Sequence, residues 1–234
     1  MIPADVVITW VLAAVPDPQR KGQAIDRIEA NSSVIATLRE SVHAHGRHLV
    51  VLHDCLDDAD DELTTFVRCP PGGNPYWRRW WLTYQWLHLH AIHVDRAWCV
   101  DGTDARMLND PFPHMAPAGF PGVLMVGSED KYFGDGSDTD QWLHHHCPSM
   151  TAFFDRHEGD QVLNVGLVGG TVDDIAVLAL KLAACELSGD DYEMGAFNAV
   201  VRGVSAPPFV TGAPVHTPFL SWATSDPECW WAHK

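Results

Sequence analysis

Val6-Val7-Ile8-Thr9-Trp10-Val11-Leu12 and His48-Leu49-Val50-Val51-Leu52-His53 are continuous apolar, β-branched runs. Runs of this kind suit strands buried on both faces. Between them, from Gln23 to His45, Ile25, Ile28, Ile35, Leu38 and Val42 recur at helical spacing, and Gly46 stands where a helix ends. A strand, a helix and a second strand in that order predict a right-handed crossover and a parallel sheet.

Working outward, Thr65-Phe66-Val67 reads as a third, short strand. Asn74-Pro75 supplies an N-cap and an N1 proline for a helix from Tyr76 to about Ile92. That helix carries Arg78 and Arg79 among Trp77, Trp80, Trp81, Tyr84 and Trp86. Further strands are expected at Ala97–Val100 and Gly122–Gly127, and Gly134–Asp140 reads as a surface loop. Val162 to Val168 reads as a strand closed by a turn at Gly169-Gly170. Thr171 with Asp174 three residues on starts a helix ending near Gly189, and a shorter helix covers Glu193 to Val201. The expectation is one α/β domain over 1–234, with a mostly parallel central sheet flanked by helices. Residues 205–234 form a tail rich in Pro and Trp that closes over the site.

The chain has 15 Lys and Arg against 31 Asp and Glu, a formal charge of −16, so no extended nucleic-acid surface is expected. The six cysteines are scattered without a Cys-x-x-Cys pair, which predicts reduced thiols in a cytoplasmic protein. No apolar run approaches the length of a membrane span. His144-His145-His146-Cys147 is not a zinc framework, because adjacent side chains diverge. The acidic run Asp57 to Glu62 lacks calcium-loop spacing and reads as a solvated loop.

Asp101-Gly102-Thr103-Asp104 leaves the strand ending at Val100. In open α/β sheets, that edge is where ligands bind. Two carboxylates converging there repel unless a cation or a basic group lies between them. Such a pair fits either an ordinary turn or a site for a hard divalent cation with a phosphorylated substrate.

Several segments together resemble the GT-A glycosyltransferases. Asp101 to Asp104, followed by Asp110-Pro111-Phe112, looks like the D-x-x-D form of that family's DxD motif. Val126-Gly127-Ser128-Glu129 resembles its next strand and acidic end, and Leu163 to Gly170 resembles its LNxGxxGG segment. Glu193-Met194-Gly195-Ala196-Phe197-Asn198 looks like its DQxAFN helix, with Glu for Asp and Met for Gln. Val215-His216 falls where a C-terminal histidine often stands. These segments run in order from about residue 5 to residue 220.

The resemblance implies a Rossmann-like GT-A domain that moves a sugar from a nucleoside diphosphate donor, UDP favoured, to a hydroxyl acceptor. A phage DNA base, a protein or a glycan would each serve as acceptor, and a phage-encoded chain would act in the host cytoplasm. The implied metal ligands are Asp101, Asp104 and His216, holding Mn2+ (or Mg2+); an imidazole beside carboxylates suits manganese better. Donor contacts are implied at Thr9, Trp10, Val11, Arg78, Asp101, Gly102, Asn164, Gly166, Gly169 and Gly170. Glu193 would be the catalytic carboxylate, accepting from sugar hydroxyls or acting as general base, with Asp190 or Asp191 nearby as the alternative. Trp222, Trp230 and Trp231 are candidate sugar platforms. Two rival readings stand: a nucleotide-sugar-binding module without turnover, suggested by Glu193-Met194, and a sugar nucleotidyltransferase. The second lacks the Gly-rich basic loop expected after the first strand.

Overall fold

The structure is a computed structural model describing residues 2–18, 31–116, 122–185, 192–203, 206–217 and 226–233. It is an α/β domain around a seven-stranded sheet. The strands are β1 (Asp5–Val11), β2 (His48–His53), β3 (Thr64–Arg68), β4 (Arg96–Val100), β6 (Leu124–Tyr132), β7 (Gln161–Thr171) and β8 (Phe209–Val210). Their order is β3-β2-β1-β4-β7-β6-β8, with β7 antiparallel to both neighbours and the remaining pairs parallel. A separate two-stranded antiparallel ribbon joins β5 (Ala105–Met107) to β9 (Trp231–His233).

Side-chain alternation shows why the apolar runs are continuous. Along β1, Val6, Ile8 and Trp10 enter one core while Val7 and Val11 enter the other. The first core is covered by α2 (Pro75–His90), α5 (Val172–Ala184) and α6 (Glu193–Val201). The second is covered by α1 (Ala36–Ala44), together with Phe112 and the Trp230-Trp231 pair. The predicted helix starts are seen: Asn74 accepts from the Tyr76 N–H, and Thr171 accepts from the Asp174 N–H. Helix α1 starts after a 3-10 turn capped by Asn31; the earlier part of the predicted helix, and the predicted end of the later one near Gly189, lie outside the described residues.

Two expectations change. Residues 138–146 and 151–156, not read as helical, form α3 (Asp138–His146) and α4 (Thr151–Arg156). The Gly169-Gly170 pair is no turn, because β7 continues through it to Thr171. A Cβ on Gly169 would stand 2.4 Å from the ring of Trp98 on the paired strand. The glycine is thus a close-packing residue. We expect Gly169→Ala to destabilise the protein by about 1–3 kcal/mol through overpacking, read as a lower urea midpoint with an unchanged slope.

The Asp110-Pro111-Phe112 segment is also accounted for by packing. The Arg47 Nε donates to Asp110 Oδ1 at 2.9 Å, and the same guanidinium lies 5.0 Å over the buried Phe112 ring. Arg96 and Asp5 complete this clamp beneath the amino ends of β1 and β4.

Candidate active site

The parallel strands β1 and β4 end at one edge of the sheet, and the reversed β7 begins there. Its early residues therefore face the carboxyl ends of its neighbours. The Asp101 N–H donates to the Gly166 carbonyl at 2.7 Å, which carries the β4–β7 pairing one step into the turn. Asp104 then folds back, its N–H donating to the Asp101 carbonyl at 3.2 Å. A cavity of about 850 Å³ opens at this edge. Asp101, Asp104, Asn164 and Gly166 line it together with Trp10, Arg79, Glu129, Glu193 and His233.

The basic group between the carboxylates is Arg79. Its guanidinium lies 2.5 Å from Glu193 Oε1 and 3.6 Å from Asp101 Oδ2, and stands 5.0 Å over the Trp10 ring. Burial alone would lower the Arg79 pKa, but Glu193 and Asp101 outweigh it, so the arginine is held firmly as a cation. Burial pushes the Glu193 carboxyl above the usual range, with Arg79 opposing the shift. A second carboxylate, Glu129, accepts from Asn164 Nδ2 at 2.6 Å, while Asn164 Oδ1 accepts from the Gly166 N–H at 2.7 Å. Burial raises the Glu129 pKa too. Gly166 is needed here for space. A Cβ on it would lie 3.0 Å from Asn164 Oδ1, 3.1 Å from His233 Nε2 and 3.2 Å from the Asp101 Cβ.

The histidine at the cavity is His233, and not His216. Nδ1 of His216 donates to the Thr217 carbonyl, and Nε2 accepts from the Ser128 N–H at 3.0 Å. With both nitrogens engaged and the ring buried, His216 fastens the tail to β6 beside Glu129. Thr217 Oγ1 in turn accepts from the His233 N–H at 3.3 Å, so this clasp holds β9 against the cavity. Burial, reinforced by nearby His216, lowers the His233 pKa to about 3. Its imidazole is neutral at ordinary pH, the form that binds metal.

The other sequence-derived residues divide in the same way. Arg78 points away, pairing with Asp54 at 3.0 Å, while Asp54 also accepts from the Ala13 and Ala14 N–H groups. Adjacent helix positions diverge by about 100°, and the one that faces the cavity is Arg79. Val11 is buried in the second core. Thr9 and Gly102 meet each other beneath the turn, where a Cβ on Gly102 would come 2.7 Å from Thr9 Oγ1. Gly169 and Gly170 lie farther along β7, packed on Trp98 and on Leu124 and Ile175. Trp230 and Trp231 are core residues and not platforms. Asp190, Asp191 and Trp222 lie outside the described residues.

Sequence reasoning did not place Asp17, Tyr76, Asp138, Trp142 and Tyr192 in the site, yet all line the cavity. The Tyr76 hydroxyl donates to Asp17 Oδ1 at 2.7 Å, and Tyr76 and Trp142 pack against Tyr192 at 5.6 and 5.0 Å. A signal for α3 existed: Ser137 with Asp140 three residues on repeats the start pattern of α5.

Fold and cavity together define an α/β protein with an acidic, aromatic-lined site at the carboxyl edge of its sheet. Compared with known proteins, the chain matches no family model and no curated sequence. Among the described residues no helix is long and apolar enough to cross a membrane, and all six cysteines are free thiols.

Proposed function

We propose that the chain is a glycosyltransferase that moves a sugar from a nucleoside diphosphate, UDP favoured, to a hydroxyl acceptor with the help of a divalent metal. The observation that carries the reading is the composition of the cavity. Among its described lining residues are six carboxylates (Asp17, Asp101, Asp104, Glu129, Asp138 and Glu193) and one cation, Arg79. A diphosphate entering such a field alone would be repelled, and a divalent ion held between it and the carboxylates would offset that repulsion.

The residues fit that ion. Among the described residues no three of His, Cys, Asp and Glu close on one point as a metal-holding group. An ion bridging a diphosphate needs only one or two protein carboxylates, the rest coming from phosphate and water. Asp104 would hold it, with the neutral His233 on the same cavity, while Asp101 is engaged by Arg79 and is better suited to the ribose. When bound, the metal supplies Lewis-acid stabilisation of the departing diphosphate.

The chain's own residues supply the rest. Asn164, fixed by Glu129 and by the Gly166 N–H, presents its amide to the sugar. Glu193 takes the proton of the acceptor hydroxyl as that oxygen bonds to the anomeric carbon. The bond from the anomeric carbon to the phosphate oxygen breaks, and its electron pair leaves with the nucleoside diphosphate. A raised pKa suits this base.

The test is calorimetric titration with UDP and manganese. Wild type is expected to bind UDP only when manganese is present. Asp104→Ala is expected to weaken that binding by roughly tenfold or more, about 1.4 kcal/mol. Unchanged metal-dependent binding in the variant would sink the assignment. Release of UDP from UDP-sugars by wild type without acceptor separates a transferase from a module that only binds.

A further inference from the structure

The contacts around the cavity form a line. Asp101 meets Arg79 at 3.6 Å, Arg79 meets Glu193 at 2.5 Å, Glu193 follows Tyr192 in the chain, and Tyr192 packs on Trp142 at 5.0 Å. One end of the line is the acidic turn after β4. The other is an aromatic wall made by α3 and the start of α6, with Glu193 between them. The donor reading accounts for the first end only.

We infer that the α3 wall is the acceptor subsite and that it takes a neutral saccharide ring stacked on Trp142. This rests on the transferase reading for the position of the donor. Trp142 is half-buried, lines the cavity and is braced by Tyr192 and, at 4.8 Å, by His146. A braced aromatic ring offers a flat apolar surface at little entropic cost. Among the cavity-lining residues on this side are the polar groups Asp138, Thr139 and the Tyr76–Asp17 pair. Ionised carboxylates only accept hydrogen bonds, so they match a ligand whose edge is a row of hydroxyl donors. A peptide backbone would need donors and acceptors in equal number. A phosphodiester chain would meet the carboxylates without the row of cations it requires. A saccharide ring supplies both the apolar face and the hydroxyl edge, and bound on Trp142 it would bring a hydroxyl toward Glu193.

Saturation-transfer NMR tests this directly. The probes are neutral disaccharides built from glucose, galactose, mannose and N-acetylglucosamine, each presented with and without UDP and manganese. At least one disaccharide is expected to bind wild type under one of the two conditions. Trp142→Ala is expected to lower its affinity by roughly tenfold, about 1.4 kcal/mol. Trp142→Phe, which keeps an aromatic face, is expected to retain most of it and guards against a folding defect in the alanine variant. Trp81→Ala, at an exposed tryptophan on α2 away from the cavity, is the control and should change nothing. The proposal is overturned if no disaccharide binds under either condition. Unchanged affinity in both Trp142 variants overturns it too, as does competition at this wall only by oligo-dT or a serine-rich peptide. Because binding is read without turnover, a failure here is distinct from loss of UDP–manganese binding, which would instead sink the donor assignment.

Discussion

Arg79→Met is expected to destabilise the folded protein by about 3–5 kcal/mol, the cost of leaving buried charge without its partner. Arg79 is 6% exposed and Glu193 2%, so solvent cannot replace what the substitution removes. Methionine fills similar volume, which keeps the loss electrostatic and not a cavity effect. Adding Glu193→Gln should recover a good part of the stability, since the stranded carboxylate is then gone. The non-additivity between the two changes measures the pair itself. Urea unfolding of the wild type, both single variants and the double variant provides the cycle. A cost below about 1 kcal/mol for Arg79→Met would place the pair among weak bridges and overturn the reading of Arg79 as a cation held firmly by Glu193.

The residues that reveal the sheet in the sequence are those whose burial leaves no choice. Val6 to Leu12 and His48 to His53 are apolar at every position because each strand is covered on both faces. The short helix over Glu193 to Val201 and the capped starts of α2 and α5 are legible for a related reason, since their signals are local. The acidic turn after β4, Asn164, Gly166 and Glu193 are likewise visible as residues in sequence order. Their meeting in one cavity is not, because it depends on β7 running against the sheet.

What stays hidden is orientation and distance along the chain. Arg78 and Arg79 are neighbours, and only the packing of α2 on the first core turns the second of them inward. His216 and His233 are both single histidines in an irregular tail. The tail's anchor at Ser128 gives one a structural bond, and the β5–β9 ribbon gives the other the cavity. Gly169-Gly170 reads as a turn because paired glycines usually make one. Here the bulk of Trp98 on the adjacent strand requires the first of them, and the second packs on Leu124 and Ile175. α3 is obscured by its composition: only Asp140 and Leu143 of its nine residues are buried, so the helix shows little apolar periodicity.

In the proposed transferase reaction, Glu193→Gln is expected to reduce transfer by roughly 10²–10⁴-fold, the range for loss of a positioned general base. The amide keeps an oxygen that accepts from Arg79, so folding should survive while proton acceptance does not. The pH profile separates this from a structural effect. Burial raises the Glu193 pKa, so the folded protein keeps this proton to higher pH than an ordinary glutamic acid would. A base is competent only after losing that proton. The acid limb of kcat/KM in wild type should therefore lie above the usual Glu range, with activity rising as pH rises through it. In Glu193→Gln the residual activity should lose that limb. The stability sign is opposite. A folded pKa above the unfolded one gives a contribution fully present below the ordinary Glu value and lost as pH rises through the raised one. Wild type should consequently gain activity over the same interval in which this group's contribution to stability declines. Proton transfer to Glu193 in a single displacement also inverts the anomeric centre, so early NMR spectra of the product should show inverted configuration. A retained centre, or an acid limb that persists unchanged in Glu193→Gln, would move the base elsewhere, with Glu129 the next buried carboxylate on the cavity wall.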